Sequence, residues 1–262
     1  MKNVLTCTVE LTEARARLAL ERKEFTVVYQ PKFDLRTMQT VGAEALVRWI
    51  TPEGQTVRPD EFIPFFEENG LVEELDFLVL AQTCRMLRGC LDRGMQAVPV
   101  SVNFSRGELS RPGFAARLWY AVAAWELPAA LIQVEVTERA CPDGEVPLAE
   151  TVRQLRQAGF TVAVDDFGTG CTGEAELRTM PVDVIKLDRS FLNRTDKVSA
   201  IRRAVRLARE LGLRVVAEGV ETLQDVQLLR QCGCGVGQGY YYARPLNRTD
   251  FLALLMPCSA AV

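Results

Sequence analysis

Eight short runs rich in apolar and β-branched residues recur along the chain, most of them separated by stretches with helical spacing, and this alternation limits the fold more than any other feature. The runs cover residues 25–33, 41–49, 98–104, 131–137, 161–164, 182–187, 214–217 and 236–242. Between them, Phe114, Leu118 and Val122, or Ile201, Ala204, Val205, Ala208 and Leu211, fall on one helical face. Strand, helix, strand in repetition needs crossovers, hence a largely parallel sheet. About eight such units in 262 residues match the size of a (β/α)8 barrel, and closure is more economical than an open doubly wound sheet. The first two runs are separated only by residues 34–40, too few for a parallel crossover, so they read as a hairpin. The expected fold is therefore α/β: a modified TIM-like (β/α)8 barrel with one antiparallel strand near the N-terminus. Residues 1–24 read as an N-terminal helix or connector and 25–262 as the barrel, since no linker-like or low-complexity stretch divides the chain.

Composition narrows the chemistry. The chain has no histidine, which removes Ser-His-Asp and Cys-His catalysis and histidine-ligated metal sites. Hydrolysis would have to run on carboxylates, lysine or oxygen-held metals. With 31 basic against 34 acidic residues the net charge is −3, leaving no surplus to attract polymeric nucleic acid or an anionic membrane. Eight cysteines form no CxxC pair and read as reduced thiols of a cytoplasmic protein. No signal-like N-terminus and no apolar run of about 20 residues occurs, so no membrane segment is expected in this chain.

In such a barrel, chemistry collects at the C-terminal ends of the strands. There the polar residues form a pattern: Glu44, Asn103, Glu135 with Glu138, Asp165 with Asp166, Lys186, Glu218 and Gln238 interrupt or close successive runs. Singly, Glu44 reads as a solvated strand-edge charge, Asn103 as a turn residue and Asp165-Asp166 as a capping turn. Together, so many converging carboxylates repel one another unless cations stand between them, which implies metal ions. All-oxygen ligands favour Mg²⁺ or Mn²⁺. Lys186, between Ile185 and Leu187, reads as a cation set against the carboxylates. Gly233, Gly235, Gly237 and Gly239 alternate and suggest a tight approach into the last strand rather than a dinucleotide loop. Tyr240, Tyr241 and Tyr242 are expected to pack, although such rings can stack on a base.

Glu44-Ala45-Leu46-Val47-Arg48-Trp49 resembles the signature of EAL domains, the cyclic di-GMP phosphodiesterases. The family's other motifs follow in order: Gln30-Pro31, Phe62-Ile63-Pro64, Val102-Asn103-Phe104-Ser105, Glu135-Val136-Thr137-Glu138, Asp165-Asp166-Phe167-Gly168-Thr169-Gly170, Ile185-Lys186-Leu187-Asp188, Ala217-Glu218-Gly219-Val220-Glu221-Thr222 and Gln238-Gly239-Tyr240. The resemblance runs from about Phe25 to Leu255. It implies that Glu44, Asn103, Glu135 and Asp165 hold one metal and that Asp165, Asp166 and Glu218 hold a second. By the same resemblance Lys186 and Glu218 hold and deprotonate the attacking water, and Glu138 positions the loop after Asp166. Gln30, Glu44, Leu46, Arg48 and Gln238 are implied substrate contacts, Arg48 being suited to a phosphate by its fork of donors. The implied reaction opens cyclic di-GMP to linear pGpG, lowering the level of this second messenger, with two Mg²⁺ or Mn²⁺ ions per site. Ca²⁺ is expected to inhibit because its larger, looser shell organises water less well. The alternative is a catalytically weak member that senses cyclic di-GMP or docks a protein. One departure is plain: where the family continues Tyr-Ser-Ser-Leu, this chain has Cys171-Thr172-Gly173-Glu174-Ala175-Glu176. Glu174 and Glu176 are expected to weaken the dry homodimer contact that the resemblance implies for this region.

Overall fold

The computed structural model describes residues 10–137, 147–168 and 174–256. Its strands are β1 (Phe25–Asp34), β2 (Thr40–Ile50), β3 (Thr56–Val57), β4 (Val100–Phe104), β5 (Ile132–Thr137), β6 (Thr161–Phe167), β7 (Val184–Leu187), β8 (Arg214–Ala217) and β9 (Val236–Gln238). The helices are α1 (Glu13–Glu21), α2 (Pro59–Glu68), α3 (Val72–Asp92), α4 (Arg106–Leu109), α5 (Phe114–Ala123), α6 (Leu148–Gln157), α7 (Glu174–Thr179), α8 (Ser190–Asn193), α9 (Lys197–Glu210), α10 (Leu223–Gln231) and α11 (Arg248–Leu255).

The strands follow the order β1-β9-β8-β7-β6-β5-β4-β2, and pairing of β1 with β2 closes the barrel, while β3 adds to the free end of β2. As the short connection predicts, β1 is the reversed strand and runs antiparallel to both β2 and β9. The hairpin is set locally. Asp34 Oδ1 accepts from Arg36 N at 2.9 Å and Thr37 N at 2.6 Å, and Met38 takes a left-handed φ of 62°.

Residues two apart on a strand share a face, and the inward faces carry two kinds of filling. Ala163, Val184 and Val216 pack with Val236 on one side of the interior. The remainder is polar. Outside the barrel, β-branched and aromatic side chains such as Val102, Val134, Ile185, Phe104 and Phe114 form the main core under the helices. A second core, with Phe25, Trp49, Phe62 and Phe66, closes the far end of the β1–β2 ribbon and receives Ala16, Ala19 and Leu20 of α1. There Glu24 accepts from Arg15 at 2.6 Å and from the Trp49 indole at 2.8 Å.

Two strand ends differ from the sequence expectation. The fifth run extends past Val164 to Phe167, so Asp165 and Asp166 lie inside β6; the register against β7 slips there, and Asp166 adopts φ 56°. A bulge with a left-handed Asp turns consecutive carboxylates out of strict alternation, which apolar patterning cannot signal. The last strand stops at Gln238, not at Tyr242. A side chain on Gly239 would clash with the Val220 backbone, so the chain turns under a neighbouring loop. Tyr242 does pack, stacked on Phe33 with centroids 4.7 Å apart, but Tyr240 and Tyr241 are exposed, a correction to the packing expected of all three. Among the described residues, no helix is long and apolar enough to cross a membrane.

Candidate active site

Parallel strands bring their C-terminal ends to one mouth, and the inward polar residues of seven strands or strand ends meet there around Lys186. Its ammonium nitrogen lies 2.7 Å from Glu135 Oε2, 2.7 Å from Glu218 Oε1, 3.0 Å from Asp165 Oδ1 and 3.3 Å from Glu44 Oε2. Glu44 also accepts from Asn103 Nδ2 at 3.1 Å and from Gln238 Nε2 at 2.7 Å, and Gln238 reaches Gln30 at 3.2 Å. The expected residues are thus brought together, with Glu138 lying outside the described residues. Carboxylate oxygens of Glu44, Glu135 and Asp165 all lie within 4.8 Å of one another, as do those of Asp165, Asp166 and Glu218. Asp165 belongs to both groups. Two cavities adjoin: one is lined by Gln30, Glu44, Asp165, Glu218, Gln238 and Tyr240, the other by Leu46, Arg48, Ile63, Glu67, Asp76 and Asn103. They meet where Asn103 bonds Glu44.

Residues 13–245 match the family model of the EAL domain. The chain belongs to the EAL domain family. It is 37% identical over 241 residues to the cyclic di-GMP phosphodiesterase NbdA of Pseudomonas aeruginosa, covering 89% of this chain and 30% of that protein. It is 35% identical over 237 residues to the oxygen sensor protein DosP of Escherichia coli K12, again covering 89% of this chain and 30% of the relative. The chain therefore spans about a third of the length of these curated relatives. The solved PaMucR phosphodiesterase in complex with c-di-GMP superposes with a TM-score of 0.84 at 31% identity, covering 91% of this chain and 98% of that one.

Electrostatics in this EAL domain follow from burial and from two ammonium groups. Glu135 is fully buried, which alone would raise its pKa, but Lys186 and Lys32 outweigh burial and hold it down at about 2. Burial wins at the other members: it raises Glu44 and Asp165, with Lys186 pulling against it, and lifts Glu218 to about 8. Lys186 is raised well above 10.5 because the four carboxylates overcome its own burial. Lys186 stands against the carboxylates as its place in an apolar strand predicts, and Lys32 adds a second ammonium, so the two lysines supply part of the compensating charge. Five carboxyl groups still outnumber two ammonium groups, and the donors are hard oxygens. The residues fit a pair of small divalent cations. Arg48 is half-buried, with Nη1 donating to Val47 O at 2.7 Å; burial lowers its pKa, and Tyr240 and Glu44 oppose that.

The raised carboxyls set a pH dependence for the cation-free protein. Glu218 moves from an ordinary 4.5 to about 8, so between these values the native state keeps a proton that the unfolded chain has lost. Stability from this group is then greatest below pH 4.5 and declines as pH rises to about 8. Glu44 and Asp165 act in the same sense, as does Asp76, raised by burial and by Glu108 and Glu67. Glu135 acts oppositely, but only at more acid pH. Melting temperatures measured in chelator should fall between about pH 5 and 8, and Mn²⁺ should restore most at the alkaline end. A flat or rising profile in chelator would contradict this assignment of charge.

Sequence reasoning missed Lys32. It lies 4% exposed on β1 and donates to Glu135 Oε1 at 2.7 Å. The signal was present: Lys32 stands two residues after Gln30, so an inward Gln30 requires an inward Lys32. Asp76, in the cavity beside Arg48, was also missed; it sits in α3, far in sequence from any strand end. Of the departing segment, Glu174 opens α7, is exposed and pairs with Arg178 at 2.5 Å. Residues 171–173 lie outside the described residues.

Proposed function

We propose that this EAL domain hydrolyses cyclic di-GMP to linear pGpG in a reaction that needs two divalent cations, Mg²⁺ or Mn²⁺. The observation that carries the reading is the pair of overlapping carboxylate groups sharing Asp165 at the barrel mouth, in a chain that matches the EAL family over residues 13–245. Glu44, Asn103, Glu135 and Asp165 would hold one cation, and Asp165, Asp166 and Glu218 the other. When bound, such a pair neutralises the phosphodiester and lowers the pKa of water, which is how hydrolysis proceeds here without histidine.

The protein's own groups supply the rest. Asn103 gives its amide hydrogen to Glu44 Oε1, which leaves its carbonyl oxygen as the donor to a cation. Lys186 Nζ orients Glu218 through Oε1 at 2.7 Å, which fixes the carboxylate at the mouth. Glu218 is the base: water adds to one phosphorus, its proton passes to the Glu218 carboxylate, the P–O3′ bond breaks, and O3′ is protonated from solvent. Arg48 offers its remaining guanidinium hydrogens to a phosphate oxygen. Gln238 Oε1 is buried without a partner among the described residues and would accept from a sugar hydroxyl or base amine, while Gln30 and Leu46 line the walls.

Chromatography of cyclic di-GMP incubated with the protein and Mg²⁺ or Mn²⁺ should show pGpG, with neither chelator nor Ca²⁺ supporting turnover. Binding of cyclic di-GMP without product in either metal would favour a sensory or docking module instead.

A further inference from the structure

We infer that Lys32 is a positioning residue for Glu135, determining which oxygen of that carboxylate is free to take a cation; this rests on the metal-dependent reading above. The ammonium of Lys32 has three hydrogens and three acceptors: Ser101 Oγ at 2.9 Å, Gln133 Oε1 at 3.1 Å and Glu135 Oε1 at 2.7 Å. Ser101 in turn donates to Ala43 O at 3.2 Å, so this tripod is tied to β2, β4 and β5. The lysine sits on the closed side of Glu135, opposite Lys186. Each oxygen of the fully buried Glu135 is thereby assigned: Oε1 to Lys32, and Oε2, at 2.7 Å, to Lys186. Oε2 is then the oxygen left to join Glu44 and Asp165, whose oxygens are contacted by the same Lys186 ammonium.

Without Lys32, Oε1 loses its donor and the carboxylate is held at Oε2 alone, through Lys186, about which it can rotate. Two effects then oppose each other. Deleting a positive charge near the site favours a cation, whereas loss of orientation disfavours it. Orientation dominates, because the charge of Lys32 is already neutralised by direct pairing with Oε1, while the tripod is what gives that oxygen a fixed place.

The test is Mn²⁺ titration by calorimetry of the full chain, with cooperative melting checked for each variant. Wild-type protein should bind Mn²⁺, and Lys32→Met should bind it about 10- to 100-fold more weakly, the range seen when partners of metal ligands are removed. In a Glu135→Gln background, Lys32→Met should change affinity by less than about threefold, since the lysine acts through that carboxylate. Unchanged or tighter binding by Lys32→Met overturns the inference, as does an equal loss in both backgrounds; a lysine with a merely structural role lowers melting temperature and leaves affinity unchanged. Should Lys32→Met fail to fold, Ser101→Ala and Gln133→Leu each remove one acceptor and should weaken Mn²⁺ in the same direction. No change in either overturns the inference. Absence of Mn²⁺ binding by the wild type would instead sink the metal-dependent reading itself, and is told apart by that control.

Discussion

Lys186→Met is expected to destabilise the protein by about 3–5 kcal/mol at neutral pH and to abolish hydrolysis, because it removes the cation shared by a buried acidic cluster. Lys186 is 1% exposed and lies within 3.3 Å of four carboxylates. A methionine of similar length fills the space but leaves those charges facing one another in a medium of low polarity. The loss carries its own signature in pH. Burial already raises the pKa values of Glu44, Asp165 and Glu218, so lowering the pH neutralises the cluster and should recover much of the deficit. Denaturant unfolding of wild type and variant at about pH 5 and pH 8 checks this. A deficit below about 1 kcal/mol, or one that does not shrink at acid pH, would mean that Lys186 is not the common counter-charge.

Glu44→Gln should have the reverse profile, with activity lost and stability kept. Glu44 is buried and its pKa is raised by desolvation, so in the cation-free protein its charge is a cost, and an amide of the same shape relieves crowding with Glu135 and Asp165. Turnover should fall by at least about 10³-fold, equivalent to about 4 kcal/mol of barrier, since an oxygen that would face a cation is replaced by a weaker donor. The melting temperature in chelator should be equal to or above that of the wild type. Glu44→Ala should likewise abolish turnover, though with a hole between Asn103 and Gln238, both of which donate to Glu44. Turnover by Glu44→Gln within tenfold of wild type would remove Glu44 from the machinery.

The two variants separate what one cluster does for the fold from what it does for chemistry. Lys186 and Lys32 allow the carboxylates to be buried before any cation arrives, and the remaining negative charge is what a pair of cations would meet. A site of this kind is costly to hold open, and its stability depends on ligand and pH together.

Much of this was legible in the chain. Strand and helix periods differ, so runs such as residues 131–137 and 182–187 announced β5 and β7, and the short 34–40 connection foretold that β1 is reversed. Glu44, Asn103, Glu135, Asp165 and Glu218 interrupted or closed successive apolar runs, which a barrel gathers at one mouth, and Lys186 was out of place in an apolar strand unless it faced them. Other features could not be read there. The bulge at Asp166, the turn at Gly239 that frees Tyr240, and the placing of Asp76 beside Arg48 all depend on neighbours distant in sequence.

Local patterning thus determined the elements, their order and the residues able to do chemistry, because hydrophobic period and turn length act over a few residues. Closure of the barrel decided the distances, the sharing of Lys186 among four carboxylates and the hidden second ammonium of Lys32. Charge compensation is a property of groups brought together in space, and a lysine's spacing along the chain does not say which carboxylate it will meet once the strands have closed.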